Sequence, residues 1–208
     1  ALRRIDPRTG AVAGRPQRAG GFPAGVAVGE GAVWVANALD GTVTRHDPVT
    51  GRRTATVRVG GNPRGILVAF GSVWAPDIGG RELRSFDART LRIEEPIEVG
   101  REPASPVVAD DAIWVANTAD DTVSRVDPRI RRSVQEIRVG RQPADLAAGE
   151  GAVWAANEAA GSVTRIDLRT RRTRTFRVGR SPAGLTVGAG AIWVPNTDDD
   201  ELARLVLR

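Results

Sequence analysis

The stretch Gly29-Glu-Gly-Ala-Val-Trp-Val-Ala-Asn37 returns in similar form four more times along the chain, and this recurrence decides the fold. Its tryptophan recurs every forty residues, with the last interval one residue shorter, at Trp34, Trp74, Trp114, Trp154 and Trp193. A proline precedes the apolar run of each copy, at Pro23, Pro63, Pro103, Pro143 and Pro182. Self-similarity at a fixed period is typical of an array of one supersecondary unit. The chain is therefore interpreted as five copies of one unit.

Each copy contains four short segments that favour β-strands. Segment A is the apolar run after the proline, such as residues 26–28, and segment B carries the tryptophan. Segment C is residues 42–45 and its copies, and segment D is residues 54–59 and its copies. β-Branched residues fill these segments and turn residues separate them, so no helix is expected. Segments A and B are continuously apolar, which predicts burial on both faces, whereas D alternates and has one wet face.

Proline placement identifies the outer strand of each unit. Pro16 and Pro96 both fall in D segments. Proline cannot donate to a β-ladder and belongs on an edge strand, so D is expected at the outer edge. Four antiparallel strands with buried inner strands and an exposed outer one are typical of a propeller blade. The sequence therefore predicts an all-β fold, a β-propeller of five blades with four antiparallel strands each.

The predicted domain organisation is a single propeller over residues 1–208. The repeats are residues 21–60, 61–100, 101–140, 141–179 and 180–208. The last repeat supplies only A, B and C, while residues 11–19 read as a lone D strand that follows a C-like segment. Pairing of the N- and C-terminal segments would complete the fifth blade and close the ring, so residues 1–20 are assigned to that blade. An excised arc of a larger ring is the alternative.

Composition excludes several classes of function. The absence of cysteine excludes disulfides, thiolate metal sites and a cysteine nucleophile. No apolar run approaches the roughly 20 residues that cross a membrane. All 30 basic residues are arginine, and a net charge of +5 gives no strong field, so nucleic-acid binding is not expected. A chain that begins at Ala1 indicates a processed or excised piece, in which a fused partner domain is expected. The compartment stays open, with an extracytoplasmic one favoured.

Residues 29–37 and 41–48 together resemble the repeat of YVTN/YncE-type propellers, a superfamily similar to the streptogramin B lyase and NHL-type propellers. The likeness spans essentially the whole chain and implies a propeller fold. Members include surface-layer repeats, sensor domains fused to kinases or regulators, and at least one lyase, so the resemblance implies no single activity. The lyase relatives are understood to use two histidines, a glutamate and magnesium. This chain has one histidine, so none of those roles is transferred and no cofactor is expected.

The loops at one end of the predicted ring differ between copies, whereas the strands are uniform. This end collects the D–A and B–C loops, and variable loops on a rigid scaffold are where binding usually lies. Loop tips under no constraint would vary in the same way, so both interpretations stay open. Asp145 is the best single candidate, because the other copies have glycine or serine at its position. The candidate ligand-binding residues are Asn62, Arg64, Arg81, Glu102, Gln142 and Asp145.

Other polar residues favour structural roles. An Asx residue ends each B segment and is predicted to cap the following turn by bonding the backbone two positions on; the set is Asn37, Asp77, Asn117, Asn157 and Asn196. His46 occupies a slot that is apolar in the other copies, which predicts a partly buried packing residue. The acidic run at residues 198–201 lacks the spacing of a calcium loop, so no metal site is expected.

The leading hypothesis is a non-enzymatic binding, scaffold or sensor module that recognises a small molecule or a protein at the D–A/B–C loop end. No catalytic residue is assigned. The alternative is a lyase- or hydrolase-type enzyme that uses carboxylates at the mouth of the central channel, with Asp145 and Glu102 as the pair. Arginine-driven nucleic-acid binding is a third hypothesis, which predicts a steep dependence of DNA affinity on salt.

Overall fold

The structure is a computed structural model that describes residues 1–206. Among these residues the regular structure is strand throughout, apart from one short 3-10 turn at Glu158–Ala160, which confirms the all-β prediction. No helix in this part of the chain is long and apolar enough to cross a membrane. The chain divides into two compact units. The first unit is Ala1–Gly79 with Arg84–Pro96, and the second is Gly80–Leu83 with the chain from Ile97 onward.

The first unit begins with a two-stranded antiparallel sheet and continues with the first repeat. The opening pair is β1 (Leu2–Ile5) and β2 (Val12–Gln17). The first repeat forms one sheet in the order β3 (Pro23–Gly29), β4 (Ala32–Asn37), β5 (Thr42–His46) and β6 (Arg53–Arg58). The second repeat, which the boundary between the units divides, has the strand order β7 (Leu67–Ala69), β8 (Ser72–Asp77), β9 (Glu82–Asp87) and β10 (Ile97–Glu98).

The second unit contains the last three repeats, each as one antiparallel sheet. The third repeat is β11 (Pro103–Ala109), β12 (Ala112–Asn117), β13 (Thr122–Asp127) and β14 (Arg132–Arg138). The fourth is β15 (Pro143–Gly149), β16 (Ala152–Asn157), β17 (Ser162–Asp167) and β18 (Thr173–Arg177). The fifth is β19 (Thr186–Gly188), β20 (Ala191–Asn196) and β21 (Glu201–Val206).

One sheet per repeat, with the strands in the order A, B, C and D, agrees with the predicted five-blade count. The D strands lie at sheet edges, as proline placement predicts: Pro16 falls in β2, and Pro96 directly precedes the two-residue β10. The segment expected as a lone D strand, β2, hydrogen-bonds to the C-like β1, because C and D are neighbours in every complete repeat. Completion of the last repeat by residues 1–20 stays a prediction.

The B strands form the core, and the tryptophans are the centre of it. Four of the five indoles are at most 1% exposed: Trp34, Trp74, Trp114 and Trp154. Every indole Nε1 donates to the carbonyl five residues earlier, as from Trp114 to the oxygen of Ala109 at 3.0 Å. A large apolar ring with one satisfied polar atom suits such packing. The predicted burial of the B segments is confirmed at these four tryptophans, whereas Trp193 is half-buried.

The A strands are less buried than their apolar sequence predicts. In β3, Val26 and Val28 are 60% and 75% exposed. The alternate residues of β3 are small and half-buried, and a Cβ on Gly29 would lie 2.6 Å from a Val68 methyl carbon. β3 therefore packs closely with one face only, and the prediction that A strands are buried on both faces is wrong.

Candidate functional site

The Asx residue that ends each B strand is buried beneath the loops, and the term Asx hub is used for it below. The amide nitrogen of Asn117 donates at 2.9 Å to the hydroxyls of Thr122 and Ser124 on the neighbouring C strand, and its oxygen accepts from the N–H of Gly100 at 3.1 Å. Asn157 bonds Ser162 and Thr164 in the same way. These bonds run across strands instead of capping the turn, so the predicted structural role holds but the predicted partners are wrong for these asparagines.

Loop glycines lie directly over the hub. A Cβ on Gly100 would approach the amide carbon of Asn117 to 2.5 Å, and one on Gly140 would approach that of Asn157 to 2.7 Å. Such distances are well below van der Waals contact, so the D–A loop can cross the hub only with glycine at this position. Contact between the hub amide and this glycine therefore determines where the D–A loop begins.

The second repeat has a charged version of the hub. Asp77 replaces asparagine, and Arg84 stands where the first, third and fourth repeats have threonine or serine. The Arg84 guanidinium lies 3.4 Å from the Asp77 carboxylate and also donates to the carbonyl of Val59 at 2.8 Å. Asp77 Oδ1 accepts from the N–H groups of Asn62 and Gly79, and the bond to Gly79 is the turn cap that the sequence predicts. A buried carboxylate is acceptable here because a cation and two backbone donors satisfy it.

Above the hub, the D–A loop is tied to the B–C turn by an ion pair, called the loop clamp below. In the third repeat Asp120 accepts from the backbone N–H of Arg101 at 2.7 Å and from its Nε at 2.6 Å. In the fifth repeat Asp199 accepts from the same two atoms of Arg180, at 2.6 Å and 2.5 Å. The backbone and side-chain hydrogen bonds from the arginine hold the pKa of each aspartate below its ordinary value.

The fourth repeat keeps the arginine of the clamp and lacks its acid. Arg141 corresponds to Arg101 and Arg180, but Ala160 stands where the partner aspartate would be. The guanidinium of Arg141 has one hydrogen bond, from Nη2 to the carbonyl of Ala159 at 3.2 Å. Because of this difference, the fourth repeat has an exposed arginine at the point where its neighbours have a closed ion pair.

An open cleft of about 490 Å³ lies at this place in the second unit. Its walls are the D–A and B–C loops of the fourth and fifth repeats, which is the loop end that the sequence marks for binding. The cleft is lined by Arg141, Glu158, Ala159, Ala160, Gly161, Arg177, Gly179, Arg180, Ser181 and Asp198. Its volume lies within the ordinary range for small-ligand pockets. We take this loop-end cleft as the candidate functional site.

The predicted Asp145 is not in the loop-end cleft, because its carboxylate joins three repeats of the second unit. One oxygen accepts from the hydroxyl of Ser105, and the other accepts from the N–H of Leu185 at 3.0 Å. The Ser105 hydroxyl in turn accepts from the N–H of Leu146 at 3.0 Å. Partners forty residues away on each side give this carboxylate a structural role, which a single repeat could not reveal.

Glu102 and Gln142 occupy equivalent positions just before the loop proline. Both have positive φ, 51° and 52°, and both side chains are exposed. Their carbonyls accept hydrogen bonds from the B–C turn, from Thr118 at 3.2 Å and from Glu158 at 2.9 Å. The structure therefore uses the backbone of these residues, and Gln142 directly follows the cleft residue Arg141.

The three other candidates are not among the residues that line the loop-end cleft. In the first unit, Asn62 donates its backbone N–H to the hub residue Asp77, while Arg64 is exposed. In the second unit, Arg81 is exposed, and its carbonyl accepts from Val99 at 2.9 Å. Sequence reasoning missed Arg141, although a signal was present: Ala160 breaks the series Asp40, Asp120 and Asp199 at a fixed distance after the tryptophan.

His46 is more buried than predicted and is fully hydrogen-bonded. Its Nδ1 lies 3.0 Å from the carbonyl of Gly51, and its Nε2 lies 3.1 Å from the hydroxyl of Thr44. Because a carbonyl can only accept, Nδ1 carries a proton. The ring is fully buried in the core and is held there by these two hydrogen bonds.

Comparisons with known proteins agree on the fold. Residues 103–199 match a family model described as a repeat of unknown function, DUF6923. No curated protein matches the chain. Among solved structures, virginiamycin B lyase from Staphylococcus aureus has a TM-score of 0.72 at 14% identity, over 88% of this chain and 69% of that one. BamB from Moraxella catarrhalis has a TM-score of 0.72 at 19% identity, over 88% of this chain and 58% of that one.

A third similar structure is the extracellular domain of a one-component system from B. thetaiotaomicron, with a TM-score of 0.76 at 14% identity. The similarity covers 98% of this chain and 31% of that one. The fold is a β-propeller. Streptogramin B lyase structures are among those that share this fold. Sequence identities below 20% show only that the folds are alike, so the YVTN/YncE assignment stays a prediction.

Proposed function

We propose that this propeller is a non-enzymatic binding module that recognises a ligand at the D–A/B–C loop end of its second unit. The observation that carries the proposal is the loop-end cleft, where the fourth repeat departs from the closed clamps of its neighbours. Its walls bring Arg141, Arg177 and Arg180 together with Glu158 and Asp198. Charged side chains around a concave site of this size suit recognition of a polar small molecule.

The enzyme alternative has less support from the contacts. Asp145 would have to act as acid, base or nucleophile, yet both of its oxygens already accept hydrogen bonds from Ser105 and Leu185. A general acid or base must reach the proton that it transfers. The second carboxylate of the pair, Glu102, is exposed in a loop whose backbone conformation is fixed by the turn. Asp145 is therefore better explained as a structural residue and Glu102 as a surface residue than as a catalytic pair.

The similar structures include a lyase, BamB and an extracellular domain of a one-component system. These proteins indicate only that a propeller can serve either catalysis or binding. The contacts of Asp145 and the loop-end cleft favour binding for this chain.

Amide chemical shifts of the ¹⁵N-labelled chain provide the test of the binding module. Succinate, inorganic phosphate, putrescine and glycerol serve as probes of negative, positive and zero charge. We expect at least one probe to shift the amides of Arg141, Ala160 and Ser181 in a saturable way. The proposal fails if no probe shifts these amides, or if the shifts appear only around the other cleft of about 350 Å³, which is lined by Ile5, Val26 and Val49 among others.

A further inference from the structure

The loop-end cleft contains a place from which a carboxylate is missing. In the third and fifth repeats an aspartate carboxylate accepts from the backbone N–H and the Nε of the loop arginine, with all four distances between 2.5 and 2.7 Å. The fourth repeat retains the arginine, Arg141, and has the methyl group of Ala160 instead of the acid. The donors of a closed clamp are thus present without their acceptor.

Arg141 keeps most of its hydrogen-bonding capacity. Its Nη2 donates to the carbonyl of Ala159, and neither its Nε nor its backbone N–H has an acceptor among the described residues. In that part of the chain no carboxylate lies within ion-pair distance of Arg141. An arginine offers its donors in a fixed planar fork that matches a carboxylate.

The other charges of the cleft are partly neutralised among themselves. Arg180 is held by Asp199, and the carboxylate of Asp198 accepts from the hydroxyl of Ser181 at 2.5 Å. Arg177 and Glu158, which have opposite charges, are both exposed on the wall of the cleft. A group with a single negative charge suits the place beside Arg141, because a more highly charged group there, such as phosphate, would meet both Glu158 and Asp198. A second carboxylate on the same ligand would lie beside Arg177.

We propose that the loop-end cleft binds a small molecule that carries a carboxylate, and that this carboxylate takes the place of the missing aspartate. It accepts from the backbone N–H and the guanidinium of Arg141, while the remainder of the molecule occupies the cleft beside Arg177. The inference rests on the proposed binding function and adds the chemical class of the ligand. Charge-assisted hydrogen bonds of this kind are stronger than neutral ones, so the carboxylate would account for much of the affinity.

The first experiment compares probes by titration calorimetry and amide shifts. Succinate is expected to bind and to shift the amides of Arg141 and Ala160, whereas succinamide, which has the same shape without charge, is expected to bind at least ten-fold more weakly. Inorganic phosphate is expected to bind more weakly than succinate. Tighter binding of phosphate than of succinate would overturn the carboxylate assignment.

The second experiment supplies the missing carboxylate by a substitution in the protein. Ala160→Asp supplies the missing acid, so the clamp closes and succinate affinity is expected to fall at least ten-fold. Ala119→Asp is the matched control, because it adds the same charge at an exposed position in the B–C turn of the third repeat, outside the cleft, and it is expected to change the affinity less than three-fold. Arg141→Gln is expected to match the loss of Ala160→Asp. The equivalent Arg101→Gln, where the clamp is already occupied, is expected to leave the affinity unchanged.

The outcomes separate the inference from the proposed function. If succinate shifts the loop-end amides but its affinity is the same in Ala160→Asp and Arg141→Gln, the cleft binds ligands and the missing-carboxylate inference is wrong. If putrescine or glycerol binds there and succinate does not, the inference is again wrong and the binding function stands. If no probe reaches the loop end, both fail.

Discussion

The buried Asx hub and the exposed turn three residues later behave differently across the repeats. The hub position holds asparagine or aspartate in all five copies, and in the second repeat the charged Asp77 comes with a partner, Arg84. The clamp position holds aspartate in only three copies, and in the fourth repeat its loss at Ala160 leaves Arg141 without a carboxylate. The change at the hub of the second repeat is compensated, and the change at the clamp of the fourth repeat is not.

Burial explains the difference. A polar group removed from water must be hydrogen-bonded or it costs a few kcal/mol, so a change at the hub requires a matching change in its partner. An exposed ion pair contributes about 0–1 kcal/mol, so one half of it can be lost without consequence for folding. The turn is thus where a repeat can acquire a ligand site at little cost in stability. Variants of the two positions test this contrast.

The largest effect is expected from Gly100→Ala, which acts on the hub of the third repeat. The new Cβ would lie 2.5 Å from the amide carbon of Asn117, and neither the loop nor the buried amide can move without breaking hydrogen bonds. We expect a loss of about 3 kcal/mol in the free energy of unfolding. The measurement is urea unfolding followed by tryptophan fluorescence. Gly188→Ala is the control, since a Cβ there meets nothing within 4 Å, and a similar loss in both variants would contradict the steric explanation.

The charged hub of the second repeat gives the next effect. Arg84→Met leaves Asp77, whose side chain is 8% exposed, without its cation, and we expect a loss of about 2 kcal/mol. The double variant Asp77→Asn with Arg84→Thr reproduces the asparagine and threonine of the fourth repeat and should recover most of the loss. A double-mutant cycle completed with the single variants Asp77→Asn and Arg84→Thr measures the coupling. Arg58→Met, on the exposed face of β6, controls for the loss of an arginine; additive effects at 77 and 84 would show that the two residues are not a unit.

A variant of Asp145 is expected to have an intermediate effect on stability. The side chain is half-buried, and both of its carboxylate oxygens accept hydrogen bonds. Asp145→Ala leaves the Leu185 N–H and the Ser105 hydroxyl without their acceptor, and we expect a loss of between about 1 and 2 kcal/mol in chemical unfolding. Asp145→Asn retains one acceptor oxygen and should lose less. Succinate affinity is expected to be unchanged in both variants. A loss of affinity with no change in stability would return Asp145 to the ligand site.

The sequence predicted the parts of this molecule that depend on local pattern. The strands, the edge position of D and the tryptophan core follow from β-propensity, proline and a forty-residue period, and the structure confirms them. The exposure of Val26 could not be predicted in this way, since it depends on which face of β3 packs against the next repeat. The role of Asp145 depends on partners in two other repeats. Alignment of the copies shows alanine at position 160 in place of aspartate. The significance of this difference depends on the hydrogen bond between Arg101 and Asp120, which the sequence does not reveal.

The smallest effect is expected at the closed clamp of the third repeat. Asp120→Asn removes the charge that Arg101 holds, and because the arginine is 59% exposed we expect a loss of less than about 1 kcal/mol at neutral pH. The pKa of Asp120 is lower in the folded chain than in the unfolded one, so its contribution is present above the unfolded pKa of about 4. The contribution is lost as the pH falls through the lower folded pKa, since the unfolded state binds the proton more readily.

The difference in unfolding free energy between the wild type and Asp120→Asn should therefore shrink between about pH 5 and pH 3. Asp111→Asn serves as the control, because that carboxylate is 86% exposed and its contact with Arg129 is 4.0 Å. A difference that stays constant with pH would show that the charge on Asp120 adds nothing to the stability of the folded chain. In that case the absence of an ion pair would not distinguish the fourth repeat energetically. Arg141 would then have to bind a ligand carboxylate through its backbone N–H.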